Sequence, residues 1–280
     1  MERKEAITLA AGRCSEKRIR VLVTGACGRM GREVLDAVSG EDDLELVGAV
    51  DIQAGAASVP AVTASGRVID GLSVSGDLES ALKRSKPDVM VDFTLPAVVM
   101  ENILTALKAG VRPVVGTTGL SDNDLAKIEA IAADKRLGLL IAPNFSIGAV
   151  LMMKFAAETA KHLKQAEIIE FHHDKKLDAP SGTAIKTAEM ILADSQMSSA
   201  PTSVTVIEGA RGGEMSGINI HSVRLPGFVA SQEVIFGGLG QTLTIRHDTI
   251  DRSAFMPGVI LACRKIMSLS GLVYGLDRVL

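Results

Sequence analysis

The sequence predicts an α/β protein: a doubly wound parallel sheet in the first half, then a second α+β domain built on a mixed or antiparallel sheet. Three observations predict it. Short β-branched runs alternate with helical stretches through the first half, the pattern of right-handed βαβ crossovers. A glycine-rich turn joins the first strand to the first helix. Beyond Pro143, strand-like runs follow one another across glycine turns, as antiparallel pairing allows.

The elements follow in order. Residues 20–24 are an unbroken β-branched and leucine run, as a strand buried on both faces requires. Glycines follow, then a helical pattern over 29–38, then a strand over 44–50 that ends at Asp51. Residues 55–71, rich in Ala, Ser and Gly, read as loop. Asp77 is placed to cap a short helix reaching residue 84. A strand over 88–93 leads to Pro96, which suits the first turn of a helix that Gly110 stops. A strand over 111–115, an amphipathic helix from Ser121 to Arg136 and a strand over 139–142 complete the alternation. The second half reads as a helix over 147–163, a strand over 167–171 and a helix over 183–193. Strand-like runs follow over 203–207, 218–223, 231–236 and 241–246, and a last helix over 254–268 is assigned back to the first domain.

Composition excludes several classes. Thirty Lys and Arg against 33 Asp and Glu leave a net charge of −3, with one Tyr, seven Phe and no Trp. Nothing neutralises phosphates in excess and little can stack on bases, so no nucleic-acid partner is expected. With 3% aromatic residues, the core is built from aliphatic side chains and eleven Met. No uncharged apolar run reaches the roughly 18 residues of a membrane span, so no membrane partner is expected. Cys14, Cys27 and Cys263 are too few and too scattered for a disulfide frame or zinc cluster. A reducing cytoplasm is the expected location. Residues 1–18 lack the pattern of a targeting peptide and read as an extension.

Gly25-Ala26-Cys27-Gly28-Arg29-Met30-Gly31 lies between the first strand and the first helix. Glycines permit a sharp turn and close backbone approach, and a helix N-terminus offers N–H groups to a pyrophosphate. Asp51 stands twenty residues beyond Gly31, at the end of the second strand, where a carboxylate can accept a ribose hydroxyl. In register, the two features favour a Rossmann-type dinucleotide site over a bare turn and a solvated strand end. Asp51 repels a 2′-phosphate and Ile52 brings no charge, while Arg29 is a cation inside the loop. NADH is therefore favoured, with NADPH left open. Cys27 reads as a small residue in a tight turn rather than a nucleophile. Gly116-Thr117-Thr118-Gly119 and Ala142-Pro143-Asn144-Phe145 both follow strands and should line the crevice at their carboxyl ends.

The densest polar stretch runs over 170–184 and contains His172, His173, Lys175, Lys176, Asp178, Pro180, Ser181, Gly182 and Thr183. Adjacent histidines on an extended chain point to opposite faces, and no HExxH motif occurs, so no metal site is expected. The stretch suits proton donation beside anion binding. An imidazole titrates near ~6.5 and serves as a general acid around neutral pH. Lys176 supplies a compact cation, and the N–H groups of Ser181, Gly182 and Thr183 at a helix start can receive a carboxylate. The bland alternative is a polar loop that merely caps a helix. His162 at a helix end and His221 within a strand read as structural, and Arg252 as a surface cation.

With these motifs in place, the sequence resembles the dihydrodipicolinate reductase (4-hydroxy-tetrahydrodipicolinate reductase) family from Ile19 onward. The resemblance rests on the glycine loop, Val91-Asp92-Phe93-Thr94, Gly116-Thr117-Thr118-Gly119 and, most specifically, the His-His, Lys, Asp-Ala-Pro-Ser-Gly-Thr run. It implies reduction of a cyclic dicarboxylate in the diaminopimelate route to lysine, by hydride transfer to ring C4. It also implies a homotetramer. The dinucleotide-binding domain would comprise 19–146 with 253–280, and the substrate-binding and oligomerisation domain 147–252. By resemblance Gly25, Ala26, Cys27, Gly28, Arg29, Met30, Asp51, Gly116, Thr117, Thr118, Ala142, Pro143, Asn144 and Phe145 contact cofactor. His172 is the implied proton donor and Lys176 the second catalytic group, with His173, Gly182 and Thr183 as substrate contacts. Two positions depart from the family: Ile52 replaces a common Arg after the ribose carboxylate, and Leu95 replaces a common Arg after Thr94. A thiol-dependent semialdehyde dehydrogenase would need a reactive cysteine in the second half, where Cys263 sits in an apolar helix. A dinucleotide-sensing regulator would need a DNA-binding element, and no basic helix or arm is visible.

Overall fold

A computed structural model describes residues 17–55, 58–199 and 204–280. Most of the expected extension, with Cys14, lies outside the described residues. The first lobe opens with β1 (Ile19–Thr24), α1 (Arg29–Ser39), β2 (Leu44–Val50), β3 (Val59–Val62), β4 (Val68–Ser75) and α2 (Leu78–Ser85). It continues with β5 (Val89–Asp92), α3 (Pro96–Lys108), β6 (Arg112–Val115), α4 (Asp122–Asp134) and β7 (Gly138–Ile141). Caps match local chemistry: Asp77 accepts the Ser80 N–H ahead of α2, and Ser121 and Asp124 form a reciprocal capping box on α4.

The second lobe contains α5 (Ile147–Ala160), β8 (Gln165–His172), α6 (Gly182–Ala193), β9 (Gly213–Met215), β10 (Ile218–Arg224), β11 (Ala230–Gly238) and β12 (Gln241–Thr249). The chain then returns to the first lobe as α7 (Met256–Lys265) and β13 (Gly271–Tyr274).

The first sheet has the order β13-β7-β6-β5-β1-β2-β4-β3 and is parallel except for the β3–β4 pair. Strand order reverses between β1 and β5, so the crevice beyond their carboxyl ends is the switch point where ligands bind in such sheets. Alternation sorts the side chains. Val21 and Val23 face α1 and α7, while Leu22 faces α2 and α3. This is why β1 reads as a continuous apolar run.

The second sheet has the order β12-β11-β8-β10-β9, with β8 and β10 parallel and the other pairs antiparallel. Helices α5 and α6 pack on one face through Ala156, Ala160, Ala184, Ala188 and Ile191 against Ile168, Val234 and Phe236. The other face carries the half-buried side chains Ile169, Phe171, Val223 and Ile235.

The predicted fold class is the one observed, with four local corrections. Residues 58–71 are not loop: β3 and β4 form a hairpin in which Ala61 and Val74 are buried, and only the Gly66 turn between them is irregular. The small-residue composition masked two short alternating runs. The strand expected at 203–207 is absent: Val204, Val206 and Ile207 are exposed, and β9 takes the free edge of β10 (Ser203 lies outside the described residues). The last helix starts later than expected, at Met256 after a 3₁₀ turn, with a proline in its first turn where no N–H is needed. It packs with β1 and α1. Finally, β13 was not foreseen; it extends the first sheet beside β7.

Candidate active site

The glycine loop is shaped by close approach. Gly25 has φ +75°, and a Cβ there would lie 2.3 Å from the Phe93 carbonyl oxygen. A Cβ on Gly31 would lie 2.0 Å from the Gly25 carbonyl oxygen, so α1 and the turn pack backbone to backbone. Gly28 caps α1 without a side-chain bond, leaving the helix end open to an anion. Ala26 is buried and contributes only backbone, whereas Arg29 projects into solvent and Met30 is half-buried.

Asp51 is buried at the end of β2, and both of its oxygens hold backbone. Oδ2 accepts the Cys27 N–H and Oδ1 the Gln53 N–H, each at 2.9 Å. The carboxylate therefore fastens the loop it stands beside, and each oxygen keeps a lone pair for a ribose hydroxyl. Burial first, and then the Asp51 charge, push the Cys27 thiol up, as suits a small turn residue that stays protonated. Arg32, one helical turn beyond Arg29, donates from Nε to the Cys27 carbonyl at 3.1 Å. Sequence reasoning missed this second cation; the three-residue spacing of the arginines was the signal. Ile52 and Leu95 are 76% and 60% exposed, so neither is held by the core.

The crevice floor is knitted by Asp92, which is fully buried. It accepts the hydroxyls of Thr24 (2.8 Å), Thr94 (2.8 Å) and Thr117 (2.7 Å), and the Asn102 amide (2.8 Å). The Thr117 hydroxyl is thus committed to the floor, while Thr118 is exposed at the rim. Gly116 is required because a Cβ would lie 2.1 Å from the Phe93 ring. Phe145 is buried and packs on Phe93 with centroids 5.7 Å apart. It and the buried Ala142 present backbone only, while Pro143 and Asn144 face outward into a cleft.

That cleft, of about 190 Å³, runs between the end of β7 and the inner face of the second sheet. Pro143, Asn144, His172, Ser181, Thr183 and His247 line it. Asn144 bridges the lobes, its amide 3.4 Å from the Thr183 hydroxyl. Ser146 caps α5 and lies 3.1 Å from His247 Nε2. Burial pushes His247 down, which favours the uncharged ring in this contact. A broader depression of about 710 Å³ lies between α2 and α3. It opens at the amino ends of β5 and β6, away from these groups.

His172 ends β8 and is largely buried, whereas His173 is exposed, so the adjacent histidines do face opposite ways. His172 Nδ1 is 2.5 Å from Glu170 Oε2. Glu170, fully buried, also accepts two bonds from Arg224 at 2.8 and 2.7 Å and the Ser181 N–H at 3.3 Å. Burial alone would raise this carboxyl; the bonds from His172 and Arg224 outweigh it and hold Glu170 down at about 2. The Ser181 N–H and hydroxyl are both occupied, the latter by the Ala184 N–H. Gly182 and Thr183 remain to receive an anion, and the space beside Gly182 is open. Lys176 does not line the cleft: its ammonium sits 2.8 Å from both oxygens of Asp178. Cys263 is buried in α7, which pushes its thiol up to about 12; it is no nucleophile.

Comparison with known proteins decides the kinship. Residues 19–145 match a family model described as dihydrodipicolinate reductase, N-terminus, and residues 148–280 match its C-terminus counterpart. The chain belongs to the dihydrodipicolinate reductase family. Like the other members of that family it is an enzyme, an oxidoreductase that depends on a pyridine nucleotide. It is 51% identical to the 4-hydroxy-tetrahydrodipicolinate reductase of Syntrophomonas wolfei, over 95% of this chain and 100% of that one. Identity to the Listeria innocua protein of the same name is 50%, over 94% and 100% of the two chains. A dipicolinate-bound dihydrodipicolinate reductase from Paenisporosarcina sp. TG-14 superposes with a TM-score of 0.83 at 43% identity, covering 94% of this chain and 100% of that one. An amine dehydrogenase from Mycobacterium smegmatis, at 15% identity and TM-score 0.65, shares the fold alone.

Within this chain, Glu170, Arg224, Asp92 and His247 went without a role in sequence reasoning. Glu170 carried a readable signal, an acid two residues before His172 on the same strand face. Arg224 comes from another strand, and only sheet register brings it there.

Proposed function

We propose that this enzyme reduces dihydrodipicolinate, formed from 4-hydroxy-tetrahydrodipicolinate by loss of water, to tetrahydrodipicolinate in the diaminopimelate route to lysine. One observation carries the reading: a single cleft unites an imidazole, His172, with the start of α6 at Ser181 and Thr183, beside which Gly182 stands open, and with Asn144 from the carboxyl edge of the first sheet. Dipicolinate bound to the Paenisporosarcina relative is a ring dicarboxylate of the kind such a cleft would admit.

The bound nicotinamide would supply the hydride to ring C4. His172 donates the proton, from the ring nitrogen that Glu170 leaves free. Gly182 and Thr183 hold one carboxylate on their N–H groups, with His173 and Ser181 at the edge of the site. Lys176 exchanges Asp178 for the substrate's carboxylate when the loop closes. On the cofactor side the loop from Gly25 to Met30 cradles the pyrophosphate, Asp51 takes the ribose, and Gly116, Thr117, Thr118 and residues 142–145 border the nicotinamide end. NADH is preferred and NADPH also accepted. The second lobe, residues 147–252, binds substrate and builds a homotetramer through the helix-free face of its sheet, in a cytoplasmic enzyme. Among the described residues no helix is long and apolar enough to cross a membrane.

Steady-state assays of His172→Ala test the chemistry. Turnover should fall by about 10²–10⁴, the usual worth of a positioned general acid, while the dissociation constant for NADH stays within twofold. Wild-type turnover in that variant would remove His172 from the proton step.

A further inference from the structure

Residues 170 and 172 lie on the same face of β8, two positions apart. Sheet register then sets their neighbours. Arg224 and Ser222 of β10 stand opposite His172 and Glu170, and Ala230 and Gln232 of β11 stand opposite them on the other side. A carboxylate with no solvent exposure persists only when its lone pairs are met. Here His172 Nδ1, both terminal nitrogens of Arg224 and the Ser181 N–H meet them. Arg224 also donates to the Asp178 carbonyl at 2.7 Å. One buried ion pair thus ties together the strand bearing His172, the start of α6 and the loop bearing Lys176.

We propose that Glu170 and Arg224 are positioning residues for the proton step. Glu170 fixes the proton of the neutral ring on Nδ1, leaves Nε2 as the exchanging nitrogen in the cleft, and stabilises the imidazolium. Arg224 locks Glu170 in that orientation and tempers its charge. The inference rests on the reading of His172 as proton donor. Among the described residues, the titratable groups of the elements around the ring include His247 across the cleft, which burial pushes down, and His173 and the Lys176–Asp178 pair in the loop after β8. Among the described residues, the hydrogen bond at Nδ1 is the one with Glu170. A merely structural ion pair would shift stability but not the imidazole's titration, and that separates the two roles.

The test is ¹⁵N-histidine NMR titration of the full-length protein, paired with kcat–pH profiles. In Glu170→Gln the His172 ring should titrate lower by about one pH unit or more, because the anion that stabilises its charged form is gone. Its neutral form should lose the fixed Nδ1–H tautomer. The basic limb of kcat should move the same way, with a 10- to 100-fold loss of kcat at pH 8 and the KM for NADH within twofold. In Arg224→Gln the ring should titrate higher, since Glu170 then acts on it undiluted, and Arg224→Lys should restore part of the wild-type position. Shifts of opposite sign support the pair. Unmoved titration in folded Glu170→Gln overturns the inference, and shifts of the same sign overturn the role given to Arg224. Should Glu170→Gln fail to fold, the two Arg224 variants carry the test, and unmoved titration in both is fatal. Normal turnover in His172→Ala, with these shifts intact, would instead fault the functional reading alone.

Discussion

Glu170 shows how one side chain couples the site to the stability of the fold. Its carboxyl, held at about 2 in the folded chain, would titrate near ~4.3 once unfolded. The folded-state value is depressed, so the stabilisation is complete above the unfolded value and drains away as pH falls from about 4.3 towards 2. Urea unfolding should therefore lose on the order of 3 kcal/mol between about pH 5 and pH 1 through this group, roughly half of it by about pH 3. Glu170→Gln should be less stable at pH 6, because Arg224 loses its counter-ion, yet should lose less on acidification. An equally steep acid limb in the variant would assign that limb to other carboxylates. Ile52 offers a second test at this scale. It is exposed beside Asp51, so Ile52→Arg should lower the KM for NADPH roughly tenfold, about 1.4 kcal/mol of new phosphate contact, without unfolding risk. No change in the NADPH to NADH ratio would place discrimination at Arg29 and Arg32.

At the scale of elements, the glycine turn is a joint between β1 and α1 rather than a flexible loop. Gly31→Ala would drive a methyl group into the Gly25 carbonyl. Strain of this kind costs about 1–3 kcal/mol, and it would displace the helix end proposed to receive the pyrophosphate. Calorimetry should show NADH affinity falling with Tm; full affinity would mean that α1 and the turn relax without reshaping the site. This joint was readable in the sequence because glycine spacing, strand and helix periodicity all coincide there. The same holds for the proline-led α3 and the capped α2 and α4. The β3–β4 hairpin was not, because its polar, small residues are those of a loop, and pairing at the sheet edge decides its conformation. Residues 204–207 failed the other way: strand-forming residues need a free neighbour, and β9 had taken it. Of the site, His172 and the helix start at Gly182 were legible from local order. The Glu170–Arg224 pair and the Ser146–His247 contact span 54 and 101 residues, distances that no local pattern encodes.

For the whole molecule, the returning C-terminal segment matters most. β13 pairs with β7, and Leu276, 1% exposed, fills the core shared by β1, α1 and α7. Leu276→Ala should destabilise the protein by about 2–5 kcal/mol, measurable in urea, although the residue lies far from the cleft. A change below 1 kcal/mol would show that the C-terminus is an accessory to the first lobe. The chain crosses between the lobes twice, on leaving β7 and on entering α7. At those crossings a Cβ on Gly258 would come within 2.0 Å of the Phe145 carbonyl oxygen. The outgoing and incoming passages meet backbone to backbone there, and Val150, Met152 and Met153 of α5 share the buried cluster of α7 and Leu276, so sliding of one lobe on the other is opposed and a swing is the motion expected. The bridge between Asn144 and Thr183 should then open and re-form through an angle, along one reproducible arc, which a pair of spin labels on the two rims would trace as a change in distance.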